Sequence, residues 1–293
     1  MKNMFKVLLV SLMSTAAYAA EDVNRTLDAA EDGDIYISNV SGSVEVHGWS
    51  RDQVEVTGEL GNGVDELIFE RDGDDVNIRV RQRRNSRRNG SADLVINVPE
   101  ASSLQIHTVS ADIDVEDVKG EQELESVSGD ITTAAFSSEM EAESVSGDIE
   151  IEGDNQSSSF SFHTVSGDIE VENLSGEIRI ESVSGDISAV NGEVSRALAN
   201  TVNGDIVLHL RLLDGGRMDL ETINGEVDVD FGGPVSARID IETFNGNIRN
   251  CFGPESVRTS KYAPGRELSF TEGGGAGRVS IDTMNGNVRI CNE

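Results

Sequence analysis

The chain has 293 residues, with 54 Asp plus Glu against 23 Lys plus Arg and a formal net charge of −31 at pH 7. That balance argues against nucleic acid and anionic membrane as general partners, except where basic residues cluster locally. Two Cys and 4% aromatic residues exclude a disulfide-rich scaffold, a Cys-rich zinc site and a large aromatic core, leaving a core of aliphatic side chains.

Residues 1–19 read as a secretory signal peptide. Lys2 and Lys6 supply the positive start, Val7 to Met13 the apolar stretch, and Ala17-Tyr18-Ala19 a small-residue cleavage site. A transmembrane anchor needs about 20 apolar residues, and this run is much shorter. The expected product is periplasmic or secreted, has no transmembrane segment and sits in an oxidising compartment.

Residues 20–100 are β-rich, with strands expected at 34–38, 43–48, 53–59, 66–70, 76–82 and 94–98. They are read as an N-terminal cap, off the register of the repeats downstream, and Trp49 is placed in its core. Between the last two strands, Asn85, Ser86, Asn89 and Gly90 mark a loop that carries Arg83, Arg84, Arg87 and Arg88. Arg forks suit phosphate and carboxylate groups, so this loop is a candidate contact for lipopolysaccharide, anionic headgroups or an acidic envelope glycan. Folding back on the chain's own acidic surface is the competing reading.

Residues 101–293 are dominated by a repeat. A hydrophobic residue, Ser or Asn, usually Gly, an acidic or amide residue and Ile or Val recur at Val109, Val127, Val145, Val165, Val183, Val202, Ile223, Phe244 and Met284. Successive units start 18, 18, 20, 18, 19, 21, 21 and 40 residues apart, and VSG at Val40 echoes them. Three residues before each unit lies an apolar residue, from Ile106 to Ile281, and one residue before it a Ser or Thr every time. Alternating pairs such as Ile149/Ile151 and Ile169/Val171 follow each corner with the period of a strand. One unit cannot bury its own apolar face, so units must stack.

Asn-Gly between apolar alternations would suit an antiparallel meander. A solenoid, however, places equivalent residues one strand spacing apart and explains why the unpaired hydroxyl position stays constant. The expected fold is therefore all-β: a β-solenoid (parallel β-helix or roll) of about nine coils with an N-terminal β cap. Its corner Gly residues are expected to adopt positive φ. Cys251 and Cys291 each fall seven residues after the first residue of their unit. If the 40-residue gap hides a whole coil, the two sit about 10 Å apart, too far to bond. If instead 252–277 is an inserted loop, they lie in adjacent coils about 5 Å apart, and a disulfide closing the last coil is expected.

The run ADLVINVPEASSLQIHTVSADIDVEDVKGEQELESVSGDI, Ala92 to Ile131, resembles the adhesin-like family of bacterial envelope proteins known as domain of unknown function 4097. VEVHGWSRDQVEV near the start and PGRELSF with RVSIDTMNGNVRI at the end do so as well. The resemblance spans nearly all of the chain after residue 19. It implies an envelope-associated or secreted β-solenoid and offers no catalytic residues; the Arg-rich loop departs from the pattern.

Two carboxylate ladders are the main chemical candidates. One lies at the corners (Asp112, Asp130, Asp148, Asp168, Asp186, Asp205, Glu226), and the other two residues before each unit (Glu125, Glu143, Glu181, Glu221, Glu242, Asp282). Like charges about 4.8 Å apart need compensation, so Asp130, Asp148, Asp168 and Asp186 could hold weakly bound calcium. Alternatively, each corner Asp accepts hydrogen bonds from its own turn. His47, His107, His163 and His209 are too scattered for one metal. A ladder of equal carboxylates lacks the distinguished acid–base pair that hydrolysis needs. The expectation is a non-catalytic envelope binding or structural module with no cofactor, monomeric, contacting a glycan, lipopolysaccharide or envelope protein. A carbohydrate-active enzyme, or a stress-related protein with only a protein partner, is the alternative.

Overall fold

The computed structural model describes residues 21–83, 90–261 and 264–292. Among these there are β-strands and no helices, all joined in one sheet. Within the short strands of a coil, residues alternate between core and solvent. In Met140–Ser144 and Ile149–Gly153, for instance, Met140, Ala142, Ser144, Ile149 and Ile151 point inward. The neighbouring coils pair with these strands in parallel, Ala142 opposite Leu124 on one side and Phe162 on the other. Ile149 likewise lies opposite Ile131 and Ile169. Equivalent side chains therefore stack along the axis into a continuous buried core. Ala142, a small residue in its stack, lies between Leu124 and the fully buried Phe162, so volume is balanced between coils rather than within one.

The register extends further upstream than the sequence suggested. Asp34–Trp49 is one long strand, and it pairs in parallel with Ser103–Glu116, Ile37 opposite Ile106 and Val44 opposite Ile113. Its corner Ser41-Gly42 lies opposite Ser110-Ala111, so VSG at Val40 is a true member of the repeat rather than an echo. The segments Asp75–Gln82 and Ala92–Pro99 lie parallel on the other side of Asp34–Trp49. Antiparallel strands then finish this end: Val64–Asp72 on Asp75–Gln82, Gln53–Leu60 on Ala92–Pro99, and Glu21–Asp28, a strand missed in the sequence, on Gln53–Leu60. Trp49 is only partly buried; its ring lies 4.7 Å from the Arg51 guanidinium and its indole N–H donates to the Gln53 carbonyl.

At the other end, spatial order departs from chain order. Gly277–Asn285 pairs with Ile206–Asn224 on one side and with Ala237–Asn245 on the other. Val288–Cys291 is likewise held between Val227–Asp230 and Ile248–Asn250. The final stretch of sequence is thus the penultimate coil, threaded beneath the coil that precedes it in the chain. The expected insertion makes this possible: its Arg266–Glu272 strand runs antiparallel on Ala237–Asn245 and covers the outermost edge. Phe252 from the insertion packs against the buried Phe231 on one side and against Phe270 on the other. Cys251 and Cys291 form a disulfide with Cα atoms 4.9 Å apart, tying the outermost coil to the threaded one rather than closing a last coil in sequence order.

The disulfide spans a sequence separation of 40. Loop-closure entropy for that length gives a stabilisation of about 3–4 kcal/mol. The Cys251→Ser/Cys291→Ser variant is expected to lose this amount in equilibrium denaturation by guanidinium chloride.

Candidate functional site

The repeated corner builds one continuous face. Its inward anchor is the Ser or Thr that precedes each unit: Thr108, Ser126, Ser144, Thr164, Ser182, Thr201, Thr222, Thr243 and Thr283 are all buried. Most donate to a corner carbonyl, as Thr201 Oγ1 does to Gly185, Thr222 to Gly204, Thr283 to Gly225 and Thr243 to Gly286, at 2.9–3.3 Å. Because the hydroxyl takes the inward slot, the next residue must point out. The hydrophobic residue that opens each unit is consequently exposed. In spatial order Val109, Val127, Val145, Val165, Val183, Val202, Ile223, Met284 and Phe244 form an apolar stripe, each 37–54% accessible. The repeat was visible in the sequence, but the outward direction of this position was not.

The corner glycines have a cause other than the expected one. Gly129, Gly147, Gly167, Gly185, Gly204, Gly225, Gly246 and Gly286 do not adopt positive φ. A Cβ at any of them would instead overlap the carbonyl oxygen of the corner beneath: Gly147 meets Gly129, Gly286 meets Gly225, and Gly246 meets Gly286. Gly42 alone among the corners combines that close approach with φ of 116°. The left-handed conformation is used in other bends, where Asp117, Asn155, Asn173 and Asn191 adopt φ of 58–62°.

The acidic ladders flank the stripe. On one side, each corner Asp accepts a backbone N–H from the next coil rather than from its own turn. Asp112 Oδ1 receives it from Asp130, Asp130 from Asp148, Asp148 from Asp168, Asp168 from Asp186 and Asp186 from Asp205, at 2.7–3.1 Å. This amide compensates the four carboxylates considered for calcium. Among the described residues no group of three or more His, Cys, Asp or Glu is placed to hold a metal ion. Further along, Asn replaces Ser in the corner, and side-chain amides bond from Asn224 to Asn203, Asn285 to Asn224 and Asn245 to Asn285, again in spatial rather than chain order.

On the other side run His107, Glu125, Glu143, His163, Glu181, Asn200, Glu221, Asp282 and Glu242. His107 Nδ1 lies 2.8 Å from Glu125, and His163 Nδ1 lies 3.3 Å from Glu181, so each His meets the carboxylate of the adjacent coil. Together with the stripe this row walls a shallow groove of ≈ 670 Å³ from Thr108 to Ile223. The groove continues past Met284 and Phe244 to Thr259 and Arg266 of the insertion. A separate depression lies along the first strands of the coils, where Met140, Phe160 and Ile178 are edged by Glu139, Glu141 and Glu177, with Arg179 and Arg196 also in its lining.

Of the candidate basic loop, Arg83 is exposed, with its N–H donated to the Gly63 carbonyl; Arg84, Arg87 and Arg88 lie outside the described residues. The neighbouring Arg81 is engaged by Asp65 and Glu66 at 3.1 and 2.9 Å. The proposed signal peptide also lies outside the described residues. No helix among the described residues is long and apolar enough to cross a membrane.

The sequence matches the family model Toastrack DUF4097 over residues 34–291. The chain belongs to this family. No curated protein matches the chain. Among solved structures, a candidate lipid-binding protein from Parabacteroides distasonis is similar at 15% identity and TM-score 0.47, covering 92% of this chain and 96% of its own. A candidate adhesin from the same organism has 12% identity and TM-score 0.40 over 92% and 97% of the two chains. A candidate cell adhesion protein from Clostridium sporogenes has 13% identity and TM-score 0.22 over 94% and 100%. In this Toastrack chain the matched span begins at the first residue of the long Asp34–Trp49 strand, where the coil register also begins.

Two consequences can be measured. Gly185→Ala should cost about 1–3 kcal/mol, because the backbone of two coils must separate to admit the methyl group. Ser184→Ala on the exposed corner should leave the denaturation midpoint unchanged. Asp282, threaded between Glu221 and Glu242, has its carboxyl pushed above the ordinary range by desolvation first and by the Glu242 and Glu221 carboxylates next. The folded state therefore holds this proton more tightly than the unfolded chain does. Its contribution is present at low pH and lost as pH rises through the raised value. Asp282→Asn is expected to melt above the parent at pH 7, with the difference closing as pH falls through the raised value and the parent carboxyl takes up its proton.

Proposed function

We propose that this Toastrack protein is an exported, non-catalytic binding module of the bacterial envelope, built on a parallel solenoid of about nine coils, and that its ligands lie along the corner face. The observation that carries this reading is the stripe from Val109 to Phe244. Each of its members is exposed, and together they form one contiguous apolar line. A soluble surface rarely keeps such a line without a partner for it. The core does not require it, because an outward position on a strand accepts Ser or Thr equally well.

The same face supports binding rather than turnover. Its corner carboxylates repeat identically and are tied to backbone amides, so none is set apart as an acid or a nucleophile. An apolar strip also disfavours a bare glycan as the main ligand and favours an envelope protein or another amphiphile. Arg83, Arg84, Arg87 and Arg88 would add a contact of opposite sign to anionic envelope groups.

The test is co-sedimentation of the purified protein with isolated envelope fractions across a salt series. Val145→Ser/Val165→Ser/Val183→Ser, which alters only exposed positions, should lose capture while keeping its melting temperature. Arg83→Ala/Arg84→Ala/Arg87→Ala/Arg88→Ala should lose only the salt-sensitive part. Capture of the stripe variant equal to the parent's would remove the basis for the proposal.

A further inference from the structure

We infer that the corner groove takes a cationic amphipathic helix, laid along the stripe with its apolar face down. This rests on the reading of the corner face as the binding surface and names the chemistry of its partner. Two independent features on that face select it: the sign of charge and the spacing of the rungs.

Charge comes first. The groove along the apolar stripe is walled by Glu125, Glu143, Glu181 and Glu221. On the far side the corner carboxylates, such as Asp148 and Asp168, follow three residues after Val145 and Val165, beyond a row of Ser. A ligand lying in the groove therefore places one flank directly against negative charge and turns the other toward the corner carboxylates. Anionic lipid, lipopolysaccharide phosphate and acidic peptide are repelled along the whole length. A helix with an apolar stripe bordered by Lys or Arg on both sides is the complementary shape, since side chains three and four apart fall on one face and their neighbours on its margins. Long basic side chains can also lay their methylene stems on Val145 and Val165 while the charged ends reach the carboxylates.

Spacing comes second. Stripe residues recur once per coil, at about 4.8 Å. A helix presents one apolar residue per turn, at about 5.4 Å, and slips by roughly 0.6 Å per rung. It stays within half a rung over about four rungs, or roughly 13 residues of helix. An extended strand presents same-face residues about 6.8 Å apart and is out of phase after roughly one rung. The stripe thus favours a helix over a β-strand, and its surface location on a corner leaves no open sheet edge for strand addition.

The experiment is titration of the purified protein, disulfide intact, with an 18-residue Leu/Lys peptide patterned as an amphipathic helix. A peptide of identical composition in scrambled order controls for simple attraction to a protein of this net charge. A Leu/Glu peptide and phosphatidylglycerol vesicles are the opposite-charge probes. The expected result is saturable binding accompanied by a gain of peptide helicity in circular dichroism, about tenfold tighter than for the scrambled peptide. Val145→Ser/Val165→Ser/Val183→Ser should weaken it by about tenfold, as the loss of three apolar contacts requires. Glu125→Gln/Glu143→Gln/Glu221→Gln should weaken it and flatten its salt dependence.

Equal binding of patterned and scrambled peptides, or binding indifferent to the stripe variant, overturns the inference. If envelope capture depends on the stripe while the Leu/Lys peptide does not bind, the face remains the binding surface and the helix is the wrong ligand. Stripe-dependent binding of the vesicles or of the Leu/Glu peptide in place of the Leu/Lys peptide overturns the charge argument. If the stripe variant loses neither peptide nor envelope, both readings fall together.

Discussion

The structure depends on how closely one corner can approach the next. At every corner but that of Ala111 a Gly stands directly over the carbonyl oxygen of the neighbouring corner, with no space for a methyl group. That approach lets a buried Ser or Thr hydroxyl reach the same carbonyl and a corner carboxylate reach the next amide. Three contacts of different chemistry are thus satisfied at a single spacing. None requires anything of the side chain that points outward between them. The alternation of the strand, with the hydroxyl inside, merely exposes that position. An apolar residue there in every coil from Val109 to Phe244 is therefore not explained by folding, whereas every neighbouring position is.

The same constraint bears on how a stack of coils can end. A bare terminal coil would offer unpaired amides and carbonyls to any other strand. Both ends are finished by antiparallel strands that break the parallel ladder: Gln53–Leu60 and Val64–Asp72 at one, Arg266–Glu272 at the other. Threading the Gly277–Cys291 segment beneath Ala237–Asn250 places that segment inside the ladder, paired on both sides. Ladder chemistry is preserved across the exchange, since the Asn amides run from Asn203 through Asn224 and Asn285 to Asn245. It has an electrostatic cost. Asp282 is placed between the Glu221 and Glu242 rungs, and its proton affinity is raised by desolvation first and by those two carboxylates next.

How far this was legible in the sequence depends on which contacts are periodic. The stacking of Ile106, Leu124, Ala142 and Phe162 could be read directly, because equal register implies equal position. The pairing of Cys251 with Cys291 could be read for the same reason, although only as one of two ways to lay out the 40-residue gap. The threading could not, since both layouts leave 237–250 and 277–291 with the same motif. It is decided by which face the insertion covers, a tertiary property. The corner Gly misled in mechanism: the residue suits both a positive φ and a close approach, and only coordinates separate them. The in-register strand at 34–49 was hidden because 53–99, which intervenes before the next unit, carries no repeat motif. The outward stripe was hidden because hydrophobic residues in a repeat are read as core, and a buried Thr next to an exposed Val reverses that habit.

A surface built by repetition differs from a pocket in what it can discriminate. A pocket recognises one constellation of groups; a ladder recognises a period and a sign. Each rung of the corner face offers nearly the same apolar patch between nearly the same charges, so a ligand gains by matching the step rather than by any single contact. Such a face tolerates sliding by one coil, because the next register is almost equivalent. Sliding adds bound arrangements and favours association statistically, while the slip between helical and coil pitch limits how many rungs any one straight helix can use. Departures from regularity then become the sites of preference. His107, His163 and Asn200 interrupt one acidic row, and the largest apolar groups, Met284 and Phe244, lie together at the threaded end. A ligand drawn by charge along the whole face would be held best there, where apolar area per rung is greatest and where the disulfide fixes the two coils that carry it.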